Sequence, residues 1–265
     1  MNAPSETTLP ILLRSDSEGV ATLTLNRPTQ FNSLSVELLA ELQAGLEAIA
    51  ADNTVRAVVI AGAGKAFCSG CDLKQMRANP SKAHQQKLFK ACARMMSTLT
   101  RIPQPVIARV HGIATAAGCE LVAMCDLAVA ADGVKFAVSG VNLGLFCSTP
   151  SVALGRAMSR KQAMEMLVTG DFIDAVEAQR RGLVNRVAPL EQLDAEVKKF
   201  TDSICAKSPV ALTMGKQVFY RQLEMGLDGA YQLAAETMAC NMMAADAAEG
   251  IDAFMQKRKP EWKGC

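Results

Sequence analysis

Histidine is nearly missing from this chain. Only His84 and His111 occur among 265 residues, so imidazole ligands and bases are too few to build most zinc sites or activated nucleophiles. Cysteine is plentiful at nine residues, but the number is odd and the residues are scattered. Cys92, Cys125, Cys205 and Cys240 sit in apolar helix or strand patterns, so reduced thiols are expected. The one CxxC, Cys68 to Cys71, has no second pair and no neighbouring histidine, so no metal is expected there. Basic blocks are also absent: 28 Lys and Arg stand against 26 Asp and Glu, for a net charge of +2. That leaves no electrostatic footprint for nucleic acid. No apolar run approaches the roughly 20 residues that a bilayer requires, because each is broken by Gly, His or charge. The opening MNAPSETTLP has neither the apolar core of a secretory signal nor the Arg-rich pattern of a transit peptide, and from it a cytoplasmic protein is expected.

What is present is material for a large core, half of the residues being hydrophobic and a fifth charged. Short β-rich runs recur at Val20–Asn26, Arg56–Gly62, Pro105–Gly112, Asp126–Ala131 and Leu183–Pro189. Helical spacing lies between them at Ser33–Ala50, Ser81–Arg101, Ala116–Met124, Thr149–Gly155 and Arg160–Thr169, with Ser33, Ser81 and Gly170 as boundary residues. Such alternation predicts an α/β protein. After Pro189 only helices are predicted: Leu190–Lys207, Val210–Leu223, Leu227–Met243 and Ala247–Lys257. Residues 11–190 therefore form one expected unit and 191–265 a helical second. The latter is rich in Met, Leu and Ala on more than one face, which predicts packing against other subunits, with an intramolecular core as the alternative.

Two stretches invite chemistry. In AGAGKAFCSGCDLK, Ala61 to Lys74, a phosphate-loop motif fails because Val59 and Ala66 stand where Gly and Ser/Thr are needed, and a dinucleotide fingerprint fails at Phe67. The small residues Ser69, Gly70 and Cys71 still let a ligand approach the main chain, although an ordinary strand-to-helix turn has the same composition. The second stretch, PVIARVHGIATAAGCELVAMCDLAVAA, Pro105 to Ala131, reads as strand, tight turn and helix. The first-turn N–H groups of that helix suit a negatively charging oxygen. Glu120 lies just inside it, either as a favourable first-turn carboxylate or as an acid/base. His111 in the turn reads as a hydrogen-bonded spacer, and Asp126 as a carboxylate that ties down backbone N–H groups.

With KAFCSGCDLK, PVIARVHGIATAAGCELVAMCDLAVA and the terminal FMQKRKPEW in this order, the chain resembles the enoyl-CoA hydratase/isomerase (crotonase) superfamily from Ile11 to Trp262. The resemblance implies a crotonase-type spiral of ββα turns followed by a helical trimerisation region, as a homotrimer or a dimer of trimers. It implies an acyl-CoA substrate in fatty acid metabolism, coenzyme A entering as part of that substrate with no tightly bound cofactor. It also implies that the N–H groups of Cys71 and Ala117 meet at a thioester oxygen, with Ser69, Gly70, Cys71, Asp72, Leu73 and Lys74 lining the coenzyme A site, and with Gly140 and Cys147 at the substrate, Cys147 close to where the family keeps a backbone donor for the catalytic water. Lys65, Lys74, Lys257 and Lys259 are candidates for the phosphates, or else solvated surface lysines. Glu120 matches the first of two glutamates with which hydratases of the family work.

The second glutamate is missing. Gly140 falls at its place, and no acidic residue occurs between Asp132 and Glu165. Hydration needs proton transfer at both carbons of the double bond, whereas one carboxylate suffices for a 1,3-proton shift. Ser139, Asn142, Cys147 and Ser148 remain to position water. The readings are therefore an enoyl-CoA hydratase or isomerase built on Glu120, an acyl-CoA-binding protein that has lost the chemistry, and a thioesterase with Cys147 as nucleophile. The acyl pocket is expected along Met76–Met96, with Phe89, Met95 and Met96 either lining it or packing a core.

Overall fold

The computed structural model describes residues 10–265; most of the opening stretch that bears on compartment lies outside them. The chain starts with a hairpin, β1 (Leu12–Ser17) antiparallel to β2 (Val20–Leu25). Glu18 and Gly19 make its two-residue turn, both with positive φ (50° and 76°), as the twist of paired strands favours. Helix α1 (Val36–Ala50) then returns the chain to β3 (Ala57–Gly62), parallel to β2.

From there each turn of the spiral lays one strand in a larger sheet and the next in a smaller one before a helix closes the turn. The first turn is β3, β4 (Ala66–Cys68), α2 (Leu73–Ala78) and α3 (Lys82–Arg101). The second is β5 (Val106–Val110), β6 (Ile113–Thr115) and α4 (Ala117–Met124). The third is β7 (Leu127–Ala131), β8 (Lys135–Ala137) and, after a short 3-10 turn, α5 (Ser148–Ala157). Helix α6 (Arg160–Thr169), β9 (Ile173–Asp174), α7 (Ala175–Arg180) and β10 (Arg186–Ala188) complete the core. The larger sheet runs β1-β2-β3-β5-β7-β10, parallel from β2 onward, and the smaller runs β4-β6-β8-β9. Central strands such as AVVIAG are apolar on both faces because helices cover both.

Four helices follow: α8 (Leu193–Cys205), α9 (Pro209–Gln222), α10 (Leu227–Met242) and α11 (Ala245–Met255). Helix α8 lies on the larger sheet and buries Leu193 and Val197. Helix α10 buries none of its side chains, and Leu227, Tyr231 and Met238 stand exposed on it.

The mixed α/β class expected from the alternation is what the chain forms, with differences of local origin. Strands β4, β6 and β8 have three residues and β9 two, too few to display a period of two. The expected cap Ser33 is buried and accepts from Arg27, while Ser35 caps α1 by accepting from Leu38 N–H at 3.2 Å. Ser81 and Gly170 do bound their helices, Gly170 in the left-handed region. The run expected at Leu183–Pro189 pairs only over Arg186–Ala188, because Asn185 turns its side chain to the Ala128 N–H at 2.8 Å.

A buried polar node fastens α9 to the core. Asp126, between α4 and β7, accepts from the Val106 N–H at 2.6 Å, as the sequence suggested, and also from Lys216 Nζ at 2.7 Å and Tyr220 Oη at 2.8 Å. Lys216, 9% exposed, donates again to the carbonyls of Leu99 and Gln104 at 2.7 and 2.8 Å. Burial lowers its pKa, but three oxygens hold the charge. Removing one partner of such a pair strands the other: Asp126→Ala is expected to destabilise by about 3–5 kcal/mol in denaturant unfolding, and Asp126→Ala with Lys216→Met by clearly less than the sum of the single losses. Strict additivity would show that the two charges act independently.

Candidate active site

The smaller sheet brings together the two stretches singled out in the sequence. Strands β4 and β6 are parallel neighbours, Ala66 opposite Ile113 and Cys68 opposite Ala114, so the segments beyond them run side by side. Thr115 Oγ1 donates to the Ser69 carbonyl at 3.0 Å across this seam. Contact is close because side chains are missing. A Cβ on Gly70, whose φ is +99°, would fall 2.9 Å from Ala116 Cβ and 3.4 Å from Ala117 N. A Cβ on Gly118 would collide with the Cys68 carbonyl.

Two N–H groups are left over at this seam. Leu34 forms a parallel bridge with Cys71, its N–H donating to the Gly70 carbonyl at 2.8 Å and its carbonyl accepting from Asp72 N–H at 3.1 Å. In such a bridge the central residue's own N–H faces away, and that of Cys71 has no protein acceptor among the described residues. Ala117 opens α4, where first-turn N–H groups lack intrahelical partners. The preceding residue, Ala116, holds φ 49° and ψ −119°, a conformation that glycine adopts readily and alanine does not. Strain of this kind costs about 1–3 kcal/mol and persists where surrounding structure enforces it. Here the Ala116 N–H bonded to the Ala137 carbonyl at 2.9 Å is what enforces it.

Glu120 stands one turn into α4 and is 4% exposed. Burial pushes its carboxyl up to about 7, opposed by Thr149 of α5, whose Oγ1 donates to Glu120 Oε2 at 3.2 Å. Neither another carboxylate nor a cation contributes to the shift. A carboxyl that titrates near neutrality in a dry site, beside free backbone donors, is equipped to move protons next to a developing oxyanion.

The other expected site residues divide. Ser69 and Gly70 belong to the seam. The Asp72 side chain is engaged within the protein: it caps α2 through the Lys74 and Gln75 N–H groups at 3.1 and 3.2 Å and pairs with Arg27 at 3.0 Å. Leu73 and Lys74 begin α2 in solvent, and Lys65, Lys257 and Lys259 are likewise exposed. Gly140 and Cys147 are in contact. A Cβ on Gly140 would lie 2.7 Å from Cys147 Sγ and 2.5 Å from the Leu145 carbonyl, so the place expected for a second carboxylate is closed even to a methyl group. Cys147 is buried at the start of α5, and burial raises its thiol pKa, contrary to the needs of a nucleophile. His111 Nε2 donates to the Gly64 carbonyl, 2.9 Å away, as a spacer would.

Met95 and Met96, on α3, are buried in the core, because helical spacing turns both inward. The open apolar surface near Gly140 is instead Leu143, Leu145 and Phe146. Thr149 and Thr115 join the site without a signal of their own in the sequence. Thr149 lies in the segment CSTP, beside the polar residues that the sequence does single out, but its reach to Glu120 depends on α4 and α5 packing together.

The family model for enoyl-CoA hydratase/isomerase matches residues 15–265. Enoyl-CoA hydratase domain-containing protein 3, mitochondrial, of Xenopus laevis is 44% identical over 96% of this chain and 86% of its own length. The crystal structure of an enoyl-CoA hydratase from Mycobacterium smegmatis superposes with a TM-score of 0.94 at 57% identity, covering 96% of this chain and 99% of that one. The human domain-containing protein 3 structure gives 0.93 at 42% identity, covering 96% and 100%. The vertebrate relatives are named mitochondrial, which overturns the expectation of a cytoplasmic protein. That expectation rested on a few opening residues, most of them outside the described part of the chain. Sequence motifs, a spiral of ββα turns and these likenesses agree, and the chain belongs to the enoyl-CoA hydratase/isomerase (crotonase) family.

Proposed function

We propose that this chain is an acyl-CoA enzyme that holds a thioester carbonyl between the N–H groups of Cys71 and Ala117 and moves a proton through the single carboxylate Glu120. The observation that carries the reading is the pairing of a buried carboxyl raised to about 7 with free backbone donors at the start of the same helix. Negative charge grows on the thioester oxygen as the α-carbon loses or gains a proton. Each fixed donor contributes roughly 2.7–4 kcal/mol in a well-built oxyanion hole. Coenzyme A is the handle of the substrate, with the Ser69–Lys74 segment as its expected side and the exposed Leu143–Phe146 segment toward the acyl chain.

Closure of the Gly140 position by Cys147 and the Leu145 carbonyl favours a one-carboxylate reaction. Glu120 can take a proton from one carbon of an enoyl thioester and return it two carbons away, so isomerisation of a 3-enoyl to a 2-enoyl thioester is the activity that this site supports best. Hydration, which needs a second proton-transfer group, is slower. The same closure is what a protein that only binds acyl-CoA would tolerate, and this is the second reading. Exposed apolar residues on α10 and α11, Phe254 at 84% among them, support a homotrimer or a dimer of trimers.

Purified protein with a 3-enoyl-CoA is expected to gain conjugated enoyl absorbance, with crotonyl-CoA consumed more slowly, and Glu120→Gln is expected to lose roughly hundredfold or more of the rate. Intact affinity for both thioesters with turnover of neither would replace the enzyme by the binding protein, and release of free coenzyme A thiol would point to hydrolysis. In the enzyme, the rate rises with pH as Glu120 ionises around 7. The Thr149 hydroxyl bond favours the charged form, so Thr149→Val is expected to move this limb to higher pH. An unmoved profile would separate Thr149 from the titrating group.

A further inference from the structure

Phe31 closes the 3-10 turn Pro28–Gln30 in the left-handed region, φ 51° and ψ 35°, its N–H donating to the Pro28 carbonyl at 3.2 Å. Such a capping position suits glycine or asparagine, because a larger side chain there crowds the backbone. Asn32, next to it and also left-handed at φ 55°, explains why the chain takes this path. It is wholly buried, its Nδ2 donating to the carbonyls of Ala63 and Ala66, both at 2.8 Å, and its Oδ1 accepting from the Arg27 N–H at 2.9 Å. The Phe31 side chain, by contrast, is 55% exposed. A lone exposed apolar residue is ordinary, but one kept where the backbone resists it points to a use outside the fold.

Phe31 stands at the edge of the candidate site. Its carbonyl accepts from the Ser69 N–H at 3.0 Å and, three residues on, Leu34 bridges to Cys71, so the segment from Phe31 to Leu34 flanks the one that carries a proposed oxyanion donor. Two cations share this corner. Lys65 lies in the turn between β3 and β4, which packs on the Phe31 turn: Asn32 bonds the Ala63 carbonyl, and a Cβ on Gly64 would fall 2.6 Å from Pro28 Cβ. Lys74 is in the first turn of α2, its N–H donating to Asp72 at 3.1 Å. Both lysines are exposed, and neither has an ion-pair partner among the described residues. The carboxylates of the corner are engaged, Asp72 with Arg27 at 3.0 Å and Glu37 with the Gln75 amide at 2.9 Å. An exposed ring with unpaired cations beside it matches a flat heteroaromatic base that carries phosphates.

We propose that Phe31 is the stacking platform for the adenine of coenzyme A, with Lys65 and Lys74 beside its phosphates. The inference rests on the reading of the seam as an acyl-CoA site, and it adds the residue that tells coenzyme A from a plain pantetheine thioester. Ser69, whose N–H the Phe31 carbonyl holds, is only two residues from Cys71. The base therefore reaches the ring only in a coenzyme A bent back toward its own thioester. The two lysines favour such a bend, since the diphosphate then lies in the corner that they charge. At a left-handed position the fold is served best by glycine, whereas a stacked base is served best by an aromatic side chain. Stability and binding therefore respond in opposite directions when the ring is removed.

The test measures calorimetric binding of butyryl-CoA, butyryl-pantetheine and ADP to the full-length protein and to Phe31→Gly. The variant should bind butyryl-CoA about tenfold more weakly, the worth of one stacked base, and lose ADP in the same proportion, while butyryl-pantetheine binds as before. Its melting temperature should stay level or rise, which the loss of a merely structural aromatic residue would not allow. Phe31→Tyr should keep all three affinities. Lys65→Gln with Lys74→Gln should weaken butyryl-CoA and ADP but not butyryl-pantetheine, most of all at low salt, and unchanged binding there overturns the phosphate half. Unchanged butyryl-CoA affinity in Phe31→Gly overturns the platform. Equal weakening of butyryl-CoA and butyryl-pantetheine overturns the adenine assignment and moves the ring to the pantetheine arm. A wild-type protein that binds ADP through Phe31 but neither thioester removes the acyl-CoA function and leaves a base site standing, and one that binds none of the three removes both.

Discussion

Everything at the candidate site depends on one close approach of main chain to main chain, the seam where Gly70 meets Ala116 and Gly118 meets the Cys68 carbonyl. No side chain larger than hydrogen fits at either glycine. Because the gap is closed by backbone alone, the N–H of Cys71 and the first N–H groups of α4 are brought near each other without depending on the rotamer of any side chain. The parallel pairing of β4 with β6 provides the rail, and the strained Ala116 provides the bend. Donors built this way are fixed before a ligand arrives, which is the condition for an oxyanion hole to act without reorganisation.

The larger sheet and the outer helices serve that seam from a distance. Each ββα turn sends its first strand to the larger sheet, where both faces are covered, and its second to the smaller, where the ends of β4 and β6 are left free for the site. The Asp126 node ties the start of β5, the end of α3 and helix α9 to one carboxylate. Since Asp126 follows α4 directly, it also anchors the end of the helix whose other end carries Ala117. The helical tail is thus bonded to the element that presents the site.

Much of this is legible in the sequence, and for physical reasons. Long apolar-periodic helices such as Lys82–Arg101 and both-face apolar strands such as Ala57–Gly62 declare themselves by pattern. The glycine-bearing stretches around Cys71 and Ala117 stand out by composition, and Glu120 by its place inside the helix. Strands of two or three residues do not, since a period of two cannot be seen in them. Neither do Thr149 or Thr115. Each matters through a contact across elements, Thr149 to Glu120 over 29 residues and Thr115 to Ser69 over 46, and no local pattern encodes such a pairing. Met95 and Met96 show a different limit: their adaptable apolar side chains suit a pocket or a core equally, and the spacing that makes α3 amphipathic places them in the core.

The burial of Glu120 also sets the site against the fold. Its carboxyl, ordinarily near 4.5, is raised to about 7 in the folded chain. Below pH 4.5 the group is protonated whether the chain is folded or not, and its burial carries no ionic penalty. As pH rises from there toward 7 the unfolded chain releases the proton first, so folding stability falls. Above 7 both forms are ionised and the loss levels off at roughly 3 kcal/mol, a tenfold change in proton affinity being worth about 1.4 kcal/mol. The folded state is therefore held least firmly at the pH where the carboxylate is ready to act, and the rest of the core must carry the difference.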